Sequence, residues 1–206
     1  MLRPRKRGSK IGFIVDPFRR RQVWYESILE ESVLAVLLAL PETLWVHEQQ
    51  HVAFVRDGQQ RHHYFDFVQR QARGRIAYAV KYEQDVDDDL LETLRLVCEQ
   101  VGDRFADEYL IITEKDLTRT QIENAGDILA CASDFDFAVQ AAVEAVLSEL
   151  PSQVRLDEIV RATGQGDRAR RAALTLIQKG ILKVPPNVRL GDDVVLVNRA
   201  AGDGAR

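Results

Sequence analysis

The chain has 206 residues with a formal net charge of −4, and 46% of them are apolar. That is enough to bury a core, and the length suits one larger domain with a smaller one. No run approaches membrane-spanning length, and the basic start lacks the apolar stretch of a signal peptide, so a membrane protein is excluded and a cytoplasmic location expected. Cys98 and Cys131 lack metal-type spacing and read as reduced core thiols.

The small net charge hides an uneven distribution. Arg3, Arg5, Lys6, Arg7, Lys10, Arg19, Arg20 and Arg21 make residues 1–22 a cationic arm suited to a phosphate backbone. From Tyr25 to Leu40 the spacing of Ile28, Leu29, Val33, Val36, Leu37 and Leu40 predicts a helix that Pro41 ends. Glu26 and Glu30 are expected one turn apart on a shared edge of it. Leu44–Val55 reads as a strand, and Asp57-Gly58 as a turn into the next. Arg61–Phe67 and Arg75–Lys81 alternate apolar and polar residues and read as two further strands, with Gly74 in the turn between them. Asp66 falls in the first and Lys81 closes the second. A carboxylate and a lysine so placed can hold a divalent cation and steady an attacking water or a phosphate, or can be the solvated ends of a hairpin.

Beyond Lys81, the acids Glu83, Asp85, Asp87, Asp88 and Asp89 sit where they favour the positive end of a helix over Asp88–Gly102. Tyr109–Thr113 reads as a short buried strand and Leu117–Ala130 as a helix, with Thr118-Arg119-Thr120 either near nucleic acid or capping that helix. The order of helices and strands is α/β.

The motif order resembles the TnsA endonuclease N-terminal family: Glu-Ser-x-Leu-Glu from Glu26, Glu48-Gln49, Tyr-x-Asp-Phe from Tyr64, then Val80-Lys81. The likeness is carried in detail over residues 23–82. It implies a restriction-endonuclease-like core over residues 23–135, a Mg2+-dependent DNA endonuclease of a transposition system, and transposase or ATPase partners. It also implies a homodimer and a nucleoid-associated location. By this resemblance Glu26 or Glu30 matches the helix glutamate, Asp66 the metal-binding aspartate and Lys81 the catalytic lysine; Glu26 and Asp66 would hold the metal. The chain departs from the family at His51 and Phe65, where proline is usual. It departs again at Ala79, where the family carries Glu or Gln. Glu83 shares strand parity with Ala79 and Lys81, so it is either a migrated carboxylate or merely the start of the acidic stretch that follows. An active nuclease and an inactivated scaffold are both consistent with these residues.

The remainder, residues 136–198, reads as three helices and a β-ribbon: Phe137–Leu150, Leu156–Thr163, Arg168–Lys179, then Ile181–Val184 and Val188–Val197. This is the order of a winged helix-turn-helix, with 199–206 as a tail. Its third helix would present Arg168, Arg170, Arg171, Thr175 and Gln178 outward to double-stranded DNA. Winged helices also dock proteins.

Overall fold

The structure, a computed structural model, describes residues 10–202 and divides into two compact units, with the boundary between Leu117 and Thr118. The sequence placed that boundary at 135/136. The helix before it groups instead with the second unit, as does the short stretch Ala39–Pro41.

The first unit opens with a hairpin that the sequence concealed. Strand β1 (Gly12–Asp16) pairs antiparallel with β2 (Arg21–Tyr25), Phe13 opposite Trp24. The residues expected as a continuous cationic arm are therefore partly structural. Asp16, fully buried, accepts the Phe18 and Arg19 N–H groups at 3.0 and 3.2 Å and pairs with the Arg19 guanidinium at 3.0 Å. Arg19 also donates to the carbonyls of Leu38, Thr43 and Leu44, and Arg21 pairs with Glu48 at 2.6 Å. Arg3, Arg5, Lys6 and Arg7 lie outside the described residues.

Helix α1 spans Ile28–Ala39. It starts later than Tyr25 because Tyr25 closes β2 and Ser27 caps the start of the new helix. The Ser27 hydroxyl accepts the Glu30 N–H at 3.1 Å, and its carbonyl accepts that of Glu31 at 3.0 Å. A four-stranded sheet follows in the order β3 (Trp45–Arg56), β4 (Gln59–Gln71), β5 (Gly74–Val80), β6 (Glu108–Ile112). The first three strands are antiparallel, and β6 runs parallel to β5, with Val80 opposite Ile112. The crossover carries α2 (Asp88–Gln100), which Asp87 caps by accepting the Leu90 N–H at 2.8 Å. Asp87, Asp88 and Asp89 therefore serve a helix start, as composition predicted, whereas Glu83 and Asp85 lie in a separate 3₁₀ turn before it.

One irregularity shapes this sheet. The β3–β4 ladder skips the pair Gln49–Asp66 between Glu48–Phe67 and Gln50–Phe65, and Gln49 has φ 51°. In a regular strand Phe65 and Val68 face opposite sides. Here both join one core cluster with Val52, Phe54, Ala77, Ala79, Leu94 and Val97. The hairpin rolls over at Asp66. Its inner half is buried on both faces, and its outer half on one. A polar chain seals the inner half: Tyr78 Oη donates to Gln69 Oε1 at 2.7 Å and Gln69 Nε2 to Thr43 Oγ1 at 2.5 Å. Burial pushes the Tyr78 hydroxyl up to about 12.

In the second unit, α3 (Arg119–Ala132) begins with a reciprocal cap between Thr118 and Gln121, which explains the Thr118-Arg119-Thr120 turn. Then come α4 (Phe137–Leu147), β7 (Gln153–Arg155), α5 (Leu156–Thr163), α6 (Asp167–Gln178), β8 (Leu182–Lys183) and β9 (Val195–Asn198). Gly164, at φ 69°, ends α5. The three strands form an antiparallel sheet in the order β7-β9-β8. The three-residue β7 was too short to register as a pattern. Helix α6 packs against α3, α4 and α5. The whole is a mixed α/β chain with six α-helices among the described residues, and none of them is long and apolar enough to cross a membrane.

Candidate functional site

The roll-over places Asp66 where a backbone acceptor would otherwise stand. Its Oδ2 accepts the Val80 N–H at 2.7 Å, and the Lys81 ammonium lies 3.9 Å from the same oxygen. Lys81 is held by its own N–H donating to the Ile112 carbonyl at 3.0 Å, while its ammonium donates to the Val80 carbonyl at 3.1 Å. The strand pairing thus brings together Asp66 and Lys81 as the sequence suggested, and the lysine occupies the Val80 carbonyl.

Of the two helix glutamates, only Glu30 belongs to α1. Its residue is buried, and its Oε2 accepts the Glu26 N–H at 2.7 Å. Glu26 precedes the helix and is exposed, so the expected shared helical edge does not exist. Burial pushes the Glu30 carboxyl above its ordinary value against the Glu26 N–H bond, and the Asp66 charge adds to the rise. Burial likewise raises Asp66; Lys81 and the Val80 N–H oppose it, and the Glu26 charge reinforces it. These acids therefore share one electrostatic field, centred on Glu30 and Asp66.

That donor set fits a magnesium ion in its chemistry. Magnesium takes hard oxygen ligands, keeps several waters, and is often held by one or two carboxylates. Glu30 and Asp66 are carboxylates whose charge burial disfavours, so a cation near them relieves both. Among the described residues no group of three or more His, Cys, Asp or Glu is arranged to hold a metal. The centre offers two carboxylates, not a protein cage.

Two sequence candidates fall outside it. Ala79 is buried in the cluster with Phe65, Leu94 and Val97, so this position faces the core. Glu83 lies in a short 3₁₀ turn after β5, where strand parity no longer applies, and pairs with Lys115 at 3.0 Å. Sequence reasoning missed His63. Its Nε2 is buried without a hydrogen-bond partner among the described residues, against the edge of Phe65. Burial, and then the Lys81 charge, hold this imidazole below its ordinary pKa. No periodicity marks His63; the signal lies in its packing. Cys131 is buried as expected, whereas Cys98 is exposed.

The expected DNA-reading helix is differently placed. Thr175 and Gln178 are 4% and 8% exposed and do not face outward. The Thr175 hydroxyl donates to the Arg171 carbonyl at 3.0 Å. Arg168 pairs with Asp136 at 2.9 Å, Arg170 with Asp192 at 2.7 Å, and Arg171 with Asp134. Arg189, in the β8–β9 connection, pairs with Asp127 at 2.6 Å and Glu123 at 3.1 Å on α3. The reason is in the sequence of α6: Ala169, Ala172 and Ala173 give it a slim, fully buried side. Neighbouring helices therefore cover most of its girth. Its arginines neutralise acids within the unit.

No family model matches the chain, and no curated protein matches it.

Proposed function

We propose that the first unit is a TnsA-like, restriction-endonuclease-like domain that hydrolyses DNA phosphodiester bonds with a divalent cation. The observation that carries this reading is the Asp66 carboxylate at the ladder break. It lies beside Lys81 and shares a field with the buried Glu30. Glu30 and Asp66 hold the cation in this reading, with Glu30 replacing Glu26 as the helix ligand. A bound magnesium or manganese ion supplies Lewis-acid stabilisation of charge on the phosphate. Lys81 sets its ammonium against the attacking water or a phosphate oxygen, and Asp66 keeps it there. The motif order of the TnsA family supports the same residues.

The second unit is read as a winged helix-turn-helix, supported by its order, from α4 onward, of helix, strand, two helices and two strands. With the α6 arginines engaged internally, protein docking fits it better than base reading. The partners suggested by the resemblance are a transposase, an ATPase or a second copy.

A second reading keeps the fold without the chemistry, and the core-packed Ala79 favours it. Supercoiled-plasmid nicking by wild type, Asp66→Ala and Lys81→Ala separates the two. The expected outcome is slow nicking, faster with manganese than magnesium, and about 100-fold or more slower in either variant. Absence of nicking with both ions, with duplex binding retained, selects the non-catalytic reading.

A further inference from the structure

We propose that His51 and His62 form a surface site for a borderline transition-metal cation of the Zn2+ class, separate from the carboxylates of Asp66 and Glu30. The two residues project from neighbouring strands onto the exposed face of the outer hairpin. His51 stands opposite Tyr64, and His62 opposite Ala53, so the imidazoles are diagonal neighbours. Both residues are exposed, and among the described residues neither side chain is tied up in a hydrogen bond or ion pair.

The separation of the rings is the deciding quantity. Their centroids lie 5.7 Å apart. A zinc ion sits about 2.0–2.1 Å from an imidazole nitrogen, hence roughly 3.2 Å from the ring centroid. Two imidazoles on one tetrahedral ion therefore have centroids about 5.2 Å apart, and roughly 5.5 Å if the angle opens to 120°. The observed spacing reaches that range with a small side-chain adjustment. Tyr64, its ring 5.5 Å from that of His51, walls one side of the pair. The backbone beneath is a paired antiparallel ladder, so both ligands stand on a rigid support. The remaining coordination positions face solvent, which makes this an open site able to take water or a donor from a bound molecule.

The test is calorimetric titration of Zn2+ onto the full chain, paired with thermal melts, for wild type, His51→Ala, His62→Ala and the double variant. His47→Ala and Cys98→Ser serve as controls, being the other exposed imidazole and thiol. One cation per chain is expected, with a rise in melting temperature of about 3 °C or more at saturation. Either histidine variant should bind at least tenfold more weakly, and the controls should bind as wild type. The replaced side chains are exposed, so metal-free melting temperatures should stay unchanged. Asp66→Ala should keep this Zn2+ response, which separates the site from the carboxylate centre. No binding at millimolar Zn2+, or binding unchanged in the double histidine variant, overturns the proposal.

Discussion

Asp66 gains one hydrogen bond and a nearby cation, yet its carboxyl rises above the ordinary range because burial outweighs both. Burial also raises Glu30, where the Glu26 N–H bond opposes the rise and the neighbouring Asp66 charge adds to it. A carboxyl raised in the folded state binds its proton there while the unfolded chain has already released it. Stability therefore falls as pH climbs from the ordinary carboxylate range through the raised folded values. In metal-free solution the melting temperature should decline across that window, and Asp66→Asn should flatten the decline. A melting temperature that instead rises with pH over the same window, equally in wild type and variant, would contradict the raised values. Ala79 gives a second residue-level prediction. Replacing it with Glu puts a carboxylate among Phe65, Leu94 and Val97, at a cost of several kcal/mol in chemical denaturation.

Among the elements, β3 is the outer strand of the sheet, and its edge is managed by side chains. The Gln100 amide bonds both the N–H and the carbonyl of Val55 at 2.7 Å, as a neighbouring strand would. Arg21 donates to the Val46 carbonyl at 2.7 Å. Such capping blunts edge-to-edge association. Gln100→Ala should cost about 1 kcal/mol in denaturant melts and promote self-association detectable by sedimentation. Elements were the most legible level in the sequence. The strands Trp45–Arg56, Gln59–Gln71 and Gly74–Val80 carry alternation and a Gly turn, and α2 to α6 carry caps and periodic apolar residues. The hairpin β1–β2 did not show because its five-residue strands are set among arginines. The site was half legible: a Lys closing a strand and an Asp two strand-ends away can be read from spacing. The choice of Glu30 over Glu26 could not, since it depends on where Ser27 starts the helix. Nor could the buried His63 Nε2, without a hydrogen-bond partner among the described residues, or the buried Thr175 and Gln178, which depend on what packs against them.

For the molecule as a whole, the charge pattern points away from α6 as a DNA-reading surface. Arg170→Glu with Arg171→Glu breaks the pairs with Asp192 and Asp134 and should lower the melting temperature by a few degrees, at about 2–4 °C per kcal/mol. It should leave duplex affinity in a gel-shift titration within about twofold at fixed salt. A tenfold loss of affinity with unchanged melting temperature would restore α6 as the nucleic-acid surface.

The acceptor for the Val80 amide is a side-chain carboxylate where a sheet would ordinarily supply a peptide carbonyl. A peptide carbonyl does not titrate, whereas the Asp66 carboxyl does. The Val80 amide proton is therefore a built-in spectroscopic reporter: its chemical shift should titrate with Asp66 and move again when a cation takes up the carboxylate. The ionisation of the centre can then be followed from the main chain of β5, without substrate and without altering a single side chain.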